Sequence, residues 1–281
     1  MSSSEDNFTS LWKSYLTSLS RVESEFEEEL IYLSDWGGKH LRPRLFLAAV
    51  KDIRGPLDAA RDIGLSLELI HQSSLIHDDL PGLDNDDFRR GKPTFHKKFG
   101  EGRAVLFGNF MAAKAFERLI EIELPINLKI LILKNLLQIH STIQKGQVLD
   151  LAFGNDPLEV CKKKTAIFFE LILKTGAYFG SFEKEIVHAF AAFGQALGVL
   201  FQLADDYRDF AQDQKRSIPS NSFCKLPRER LDEIKQFWIQ KLKENFSLVQ
   251  AKCSLENLKS FLSSEIDLSC IQLELAKLLA D

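Results

Sequence analysis

The segment Leu75–Glu101 reads LIHDDLPGLDNDDFRRGKPTFHKKFGE, and it decides how the fold is interpreted. Its first residues complete an apolar run with helical spacing that begins near Leu57 and ends near Asp79. Pro81 stops that helix, and three further aspartates follow it closely. Carboxylates at the buried end of an apolar helix repel one another and lose hydration, so a cation should offset their cost. The segment therefore predicts a helix with a divalent-cation site at its C-terminal end.

A second acidic cluster, Phe201–Asp209, reads FQLADDYRD and ends another long apolar run. Asp205 and Asp209 are four residues apart and share one helical face. Either cluster alone could equally be helix caps, turns and solvated side chains. Because two such clusters end long apolar helices, we expect them to face each other across an apolar cavity. Magnesium bound there would take one or two protein carboxylates, water and phosphate oxygens.

Basic residues at three places could bind the phosphate groups. Gly37–Pro43 (GGKHLRP) is a glycine-rich turn before a helix, and Lys39 and Arg42 add charge where backbone amides can approach an anion. Arg89-Arg90 directly follows the first acidic cluster, and Lys164-Thr165 precedes another apolar helical run. The alternatives stay open, because Gly-Gly is often only a turn and adjacent arginines can pair with carboxylates at a surface.

The rest of the chain fits one all-α domain over residues 1–281. Of its 281 residues 45% are hydrophobic, helical spacing dominates, and no repeat or flexible linker is apparent. We expect a bundle of long antiparallel helices around a deep central cavity. The predicted helices span about 6–33, 44–54, 57–79, 103–123, 126–146, 157–179 and 183–210, with a helical segment after Pro227 and a polar loop over 211–226.

Composition excludes several other classes. The formal net charge of −4 argues against a nucleic-acid partner. The four cysteines form no C-x-x-C pair, so we expect reduced thiols. The N-terminus carries no secretory signal pattern, and no window approaches the roughly 18–20 consecutive apolar residues of a membrane span. A cytoplasmic protein without stable membrane insertion is the expectation.

Five motifs together resemble the trans-prenyl diphosphate synthase family, short-chain type, which includes farnesyl and geranylgeranyl diphosphate synthases. The first acidic segment has the extended form D-D-x-x-x-x-D. The other four are similar to the family's G-G-K-x-x-R-P, G-Q-x-x-D-L, K-T-A and F-Q-x-x-D-D-x-x-D, and stand here at Gly37–Pro43, Gly146–Leu151, Lys164–Ala166 and Phe201–Asp209. The resemblance runs from about Trp36 to Asp209 in the family's order, and it implies the isoprenoid synthase fold.

The resemblance also implies a role for each matching residue. The implied metal ligands are Asp78, Asp79, Asp84, Asp205, Asp206 and Asp209. The implied contacts to the allylic diphosphate are Arg89, Lys164 and Gln202, and those to isopentenyl diphosphate are Lys39, Arg42, His71 and Arg90. Thr165 is a further implied substrate-binding residue. The residues counted as catalytic are Asp78, Asp79, Asp84, Lys164 and Asp205.

The reaction implied is condensation of isopentenyl diphosphate with dimethylallyl, geranyl or farnesyl diphosphate. The products are farnesyl or geranylgeranyl diphosphate and free diphosphate. The resemblance implies about three magnesium ions at each site and a homodimer. Ser73 and Ser74, about one turn before Asp78, should influence product length; their small size favours a longer product such as geranylgeranyl diphosphate. Phe107, Phe110 or Met111 could instead close the part of the cavity in which the product chain grows, or they could belong only to the core.

The chain departs from the family pattern in three places. Family members usually continue after the second acidic motif with a lysine and a T-Y-P-like stretch, whereas Ala211–Arg230 is short and lacks that stretch. Lys215 or Lys225 could supply the missing cation. Asn109 and His40 replace residues that are commonly aspartate and arginine. None of these changes removes an implied metal ligand, so we expect activity.

Two other functions remain open. A terpene cyclase would use the same helical scaffold but a different second motif, and it would need no isopentenyl diphosphate. A non-catalytic subunit would bind a partner synthase without turnover, and the altered segment after Asp209 leaves room for it. The two complete acidic motifs argue against both.

Overall fold

This computed structural model describes residues 5–152, 154–180, 183–213, 223 and 226–266, with the backbone alone at 5–7 and 207–213. Most of the described chain is helical, as predicted. The helices are α1 Glu5–Ser20, α2 Glu27–Ser34, α3 Leu41–Asp52, α4 Leu57–Asp78, α5 Phe95–Phe99, α6 Glu101–Glu121, α7 Ile126–Leu151, α8 Pro157–Cys161, α9 Ile167–Ala177, α10 Lys184–Asp213, α11 Arg228–Gln250 and α12 Glu256–Glu265. Strands β1 (Phe88–Arg89) and β2 (Lys92–Pro93) form a small antiparallel hairpin between α4 and α5.

The prediction of one helix over residues 6–33 is wrong. Helix α1 ends at Ser20, and the N–H groups of Val22 and Glu23 both bond to the carbonyl oxygen of Leu19. A 3₁₀ turn follows before α2, and α1 packs against α2. Leu16 and Leu30 become fully buried, so apolar packing accounts for a reversal that no glycine or proline marks in the sequence.

The chain divides into two compact units. Unit 1 comprises residues 1–44 and 61–123. Its core contains an aromatic cluster in which the Phe95 ring packs edge-on against Trp36 at 4.9 Å and stacks on Phe107 at 5.2 Å. Most of α4, the hairpin, α5 and α6 belong to this unit. It therefore carries the first acidic cluster and the first two groups of basic residues.

Unit 2 comprises residues 45–60 and 124–281. The helix predicted over 157–179 is interrupted there, because Lys162–Ala166 forms a π-helical segment between α8 and α9. π-segments are rare and often occur at functional sites. This one contains Lys164 and Thr165, the two residues of the K-T-A motif.

Helix α10 of unit 2 contains a long apolar stretch. Between Lys184 and Asp206 it is long and apolar enough to cross a membrane, which the sequence analysis did not expect. However, 67% of this apolar stretch is buried inside the protein, a pattern typical of a core helix. The helix continues to Asp213, so residues 211–213 of the predicted loop are helical; of the remainder of that loop only Phe223 and Leu226 belong to the described residues.

Candidate active site

The C-terminal end of α4 forms the first acidic cluster. A tight turn follows Asp78, and the backbone N–H of Asp84 donates to the carbonyl oxygen of Asp78 at 2.8 Å. Asp78 is buried and Asp84 is half-buried. The turn thus brings the backbones of two predicted metal ligands together although six positions separate them.

The Asp79 carboxylate is fully buried and bonded to Arg89, which the hairpin presents from β1. Arg89 Nε donates to the two carboxylate oxygens at 2.9 and 3.0 Å, and its Nη2 reaches Oδ1 at 2.5 Å. Burial raises the pKa of Asp79, and the Arg89 guanidinium opposes that rise. A predicted metal ligand and a predicted diphosphate contact therefore form a partly buried ion pair with each other.

Arg42 and His71, two of the predicted isopentenyl diphosphate contacts, bond directly to each other. Arg42 Nη1 lies 2.9 Å from His71 Nε2. Arginine can only donate, so Nε2 accepts and the ring proton sits on Nδ1. Burial, followed by the charges of Arg42 and Arg90, lowers the pKa of His71 well below its ordinary value. His71 is thus a neutral acceptor that orients Arg42.

We expect stability to fall as pH drops from 7.5 to 5.5, partly because of His71. In the unfolded chain this side chain takes up a proton near pH 6.5, whereas in the folded protein it stays neutral to lower pH. The free energy of unfolding therefore falls by at most about 1.4 kcal/mol for each pH unit below about 6.5. His71→Gln keeps an acceptor for Arg42 without titrating, so urea unfolding should show a smaller loss. His188→Gln, at an exposed position, serves as the control, and equal losses in all three proteins would disprove the assignment.

In unit 2 the π-segment presents Lys164 toward α7. The Lys164 ammonium donates to Asp150 Oδ2 at 2.9 Å, and both side chains are about one-fifth exposed. Helix α7 passes very close here, since a Cβ atom on Gly146 would lie 2.6 Å from the backbone nitrogen of Lys164. The glycine of the G-Q-x-x-D-L motif therefore permits the approach that places Lys164 beside Asp150.

A chain of hydrogen bonds connects the K-T-A motif with the second acidic cluster. Thr165 Oγ1 donates to Gln202 Oε1 at 2.7 Å, and Gln202 Nε2 donates to Asp206 Oδ1 at 2.7 Å. The backbone N–H of Phe223 donates to Asp206 Oδ2 at 2.8 Å. Both oxygens of Asp206 thus serve protein donors, and Asp205 is the half-buried neighbour beside them. The side chain of Asp209 lies outside the described residues.

The oxygen donors suit magnesium rather than a metal enclosed by protein alone. Among the described residues no group of three or more His, Cys, Asp and Glu side chains is arranged to hold a metal ion. Magnesium needs only one or two protein carboxylates when water and substrate phosphates complete its shell. The carboxylates of Asp78 and Asp84 in unit 1, and of Asp205 in unit 2, fit that requirement.

The residues predicted to influence product length make internal bonds. Ser73 is fully buried and donates to the carbonyl oxygen of Gly108 on α6 at 2.8 Å. Ser74 donates to the carbonyl oxygen of His71 at 2.8 Å. Phe107 and Met111 are fully buried, and Phe110 is half-buried. The effect of the two serines on product length stays a prediction.

Sequence reasoning missed the internal partners of these residues. The Arg42–His71 and Asp79–Arg89 pairs join residues that were assigned to ligands, and Phe223 was assigned to no site. The short distance along the chain between Asp79 and Arg89 was an available signal. Nothing in the sequence indicated the bond from Phe223 to Asp206.

Comparisons with known proteins identify relatives of this chain. A family model described as polyprenyl synthetase matches residues 23–218. Geranylgeranyl diphosphate synthase of Methanosarcina mazei is 34% identical over 194 residues, which cover 66% of this chain and 58% of the relative. Farnesyl diphosphate synthase of Micrococcus luteus is 32% identical over 206 residues, which cover 70% of each.

A solved structure is similar over most of its length. The geranyltransferase of Helicobacter pylori, complexed with magnesium and isoprenyl diphosphate, matches with a TM-score of 0.73 and 28% identity. The match covers 94% of this chain and 98% of that one. The chain spans little more than half the length of several curated relatives, between 52% and 58%.

Proposed function

Because this chain belongs to the polyprenyl synthetase family, we propose that it is a short-chain trans-prenyltransferase. It joins isopentenyl diphosphate to an allylic diphosphate and releases diphosphate. The observation that carries the proposal is the acidic end of α4, where Asp78 and Asp84 meet beside the basic hairpin. The names of the similar synthases and of the magnesium-complexed geranyltransferase support the same class of reaction.

Magnesium, when bound, supplies positive charge that stabilises a departing diphosphate. In unit 1 the residues proposed to hold it are Asp78 and Asp84. Asp79 was assigned to the metal from the sequence, but its buried pairing with Arg89 supports a positioning role, in which it orients that guanidinium. In unit 2 we assign metal binding to Asp205, with Asp206 and Asp209 beside it. The number of ions, expected to be about three, belongs to this proposal.

The basic residues bind the two diphosphates. Arg89, Lys164, Thr165 and Gln202 are assigned to the allylic diphosphate, and Lys39, Arg42, His71 and Arg90 to isopentenyl diphosphate. Lys164 can exchange its Asp150 partner for a phosphate oxygen, because both are strong acceptors for an ammonium group. His71 contributes by orienting Arg42.

The reaction begins when the allylic carbon–oxygen bond breaks and leaves an allylic cation. The double bond of isopentenyl diphosphate, held close and in line, attacks the cation and forms the new carbon–carbon bond. Loss of a proton completes the product, and by family resemblance the released diphosphate accepts that proton. Water must be excluded from the site, because it would otherwise capture the cation.

Product analysis tests this function. Purified protein is incubated with magnesium, isopentenyl diphosphate and each of dimethylallyl, geranyl and farnesyl diphosphate, and chain length is read by chromatography. We expect elongated diphosphates, with geranylgeranyl diphosphate favoured over farnesyl diphosphate. Conversion of an allylic diphosphate alone would identify a cyclase instead. Binding of both substrates without turnover would identify a non-catalytic subunit.

A homodimer is also proposed, and the surface of α7 supports it. Ile126, Ile130, Leu137 and Val148 are exposed and share one face of this helix at helical spacing. An exposed apolar stripe of this kind is typical of a protein interface. Sedimentation at assay concentrations should give twice the mass of the 32.0 kDa chain, and a monomer would contradict the proposal.

A further inference from the structure

Glu68 is a buried carboxylate that none of the roles above uses. It lies on α4 with 1% of its surface exposed. Its Oε1 accepts from His40 Nδ1 at 3.0 Å and from Gln72 Nε2 at 2.6 Å, while its Oε2 has no hydrogen-bond partner. Burial alone would raise the pKa of Glu68, but these bonds and the charge of Arg42 lower it. Glu68 is therefore an ionised anchor inside unit 1.

The partner of Glu68 holds an unusual backbone conformation. His40 has a φ of +46°, in the left-handed region that non-glycine residues seldom occupy. Its ring is buried, with centroids 5.6 Å from Phe8 and 6.0 Å from Trp12. Such a conformation costs free energy and persists only where the surroundings fix it. The bond to Glu68 is the polar contact that fixes His40.

The glycine turn before His40 is held from its other side by Arg90. Arg90 Nη1 donates to the carbonyl oxygen of Gly37. A Cβ atom on Gly38 would lie 2.6 Å from the same nitrogen, so a side chain there would displace the guanidinium, and the φ of +142° at Gly38 also favours glycine. The segment Gly37–Pro43 is thus fixed at its start by Arg90 and in its middle by Glu68.

One face of α4 fixes this segment at two points. Residues 68, 71 and 72 follow the i, i+3, i+4 spacing that places side chains on one helical face. Glu68 bonds His40, and His71 bonds Arg42. The two bonded residues stand on either side of Leu41 in the sequence, and His40 directly follows Lys39. The position of both Lys39 and Arg42 therefore depends on this face.

We propose that Glu68 is the positioning residue of the isopentenyl diphosphate pocket, acting through His40 on Lys39 and Arg42. The inference rests on the function proposed above and adds a residue that touches no substrate. Its loss should weaken binding of isopentenyl diphosphate selectively, because the allylic diphosphate is assigned to other cations. The acceptor oxygen, rather than the side-chain volume, is the feature that matters.

Two substitutions of Glu68 separate these properties. Glu68→Leu keeps similar volume but removes the acceptor, and it should raise the KM for isopentenyl diphosphate on the order of tenfold. The kcat and the KM for the allylic substrate should stay within about threefold. Glu68→Gln keeps an oxygen that can accept from His40, so it should restore most of the affinity. Calorimetric titration with isopentenyl diphosphate should show the same order without turnover.

Glu29→Leu is the matched control. Glu29 is also fully buried in unit 1, where it accepts from Arg103 Nη2 at 2.9 Å, and it has no assigned role in the reaction. This variant should lose thermal stability without a selective change in either KM. The inference would be overturned if Glu68→Leu behaved like Glu29→Leu. It would also be overturned if Glu68→Gln bound isopentenyl diphosphate no better than Glu68→Leu. A parent protein that neither binds nor converts isopentenyl diphosphate would instead overturn the proposed function.

Discussion

Asp78→Asn is expected to lower kcat/KM by about a thousandfold, which corresponds to about 4 kcal/mol of transition-state stabilisation. The amide has nearly the same shape as the carboxylate but lacks the negative charge that binds magnesium. Diphosphate departure would then lose the positive charge that stabilises it. Turnover of isopentenyl diphosphate with geranyl diphosphate, measured over a range of magnesium concentrations, checks the result.

Substitutions of two other aspartates serve as comparisons for this test. Asp62→Asn lies on the same helix but pairs with Arg118, so its kcat/KM should stay within about twofold of the parent value. Asp79→Asn removes the buried partner of Arg89, and it should raise the KM for the allylic substrate without changing the magnesium concentration that gives half-maximal turnover. If Asp78→Asn retained more than about a tenth of the parent activity, Asp78 would not be a metal ligand.

Asp205→Asn should have the second-largest effect, a loss of at least about a hundredfold in kcat/KM. Asp205 is half-buried at the acidic end of α10, and its neighbour Asp206 is already bonded to Gln202 and to the backbone of Phe223. Asp205 is therefore the carboxylate of this pair that we assign to the metal. Extra magnesium should restore part of the activity if the loss reflects weaker metal binding.

Glu185→Gln provides the matched control for Asp205. It removes an exposed carboxylate in the first turn of the same helix, and activity should be unchanged. Circular dichroism should show the same helicity in both variants, which would exclude a folding defect as the cause of the lost activity. Single-turnover measurements then report the chemical step itself. Full activity of Asp205→Asn would mean that the second acidic motif does not take part in catalysis.

The helical class was predictable because apolar residues recur at helical spacing in every long element, from α4 to α11. The break between α1 and α2 was not, since the apolar pattern continues through Arg21–Glu23 and only packing of Leu16 and Leu30 requires a reversal. The π-segment was not predictable either, because the composition of Lys162–Ala166 does not distinguish it from an ordinary α-helix. Tertiary packing decides both features.

The residue types of the candidate site were predictable, but their partners were not. Carboxylates after an apolar helix and arginines beside them are visible in the sequence. That Arg42 bonds His71, 29 positions away, depends on tertiary packing within unit 1. The burial of Glu68 was not predictable, because a glutamate in an apolar helix gives no sign of whether it is exposed or buried. Lys215 and Lys225, considered as replacements for the missing lysine, lie outside the described residues.

The most direct test is incorporation of labelled isopentenyl diphosphate into a longer prenyl diphosphate by the purified chain, with magnesium present and after chelation. We predict steady incorporation with magnesium, and almost none when the metal is chelated or when either Asp78 or Asp205 is replaced by asparagine. Incorporation that survives chelation, or no incorporation with any of the three allylic partners, would contradict the proposed function.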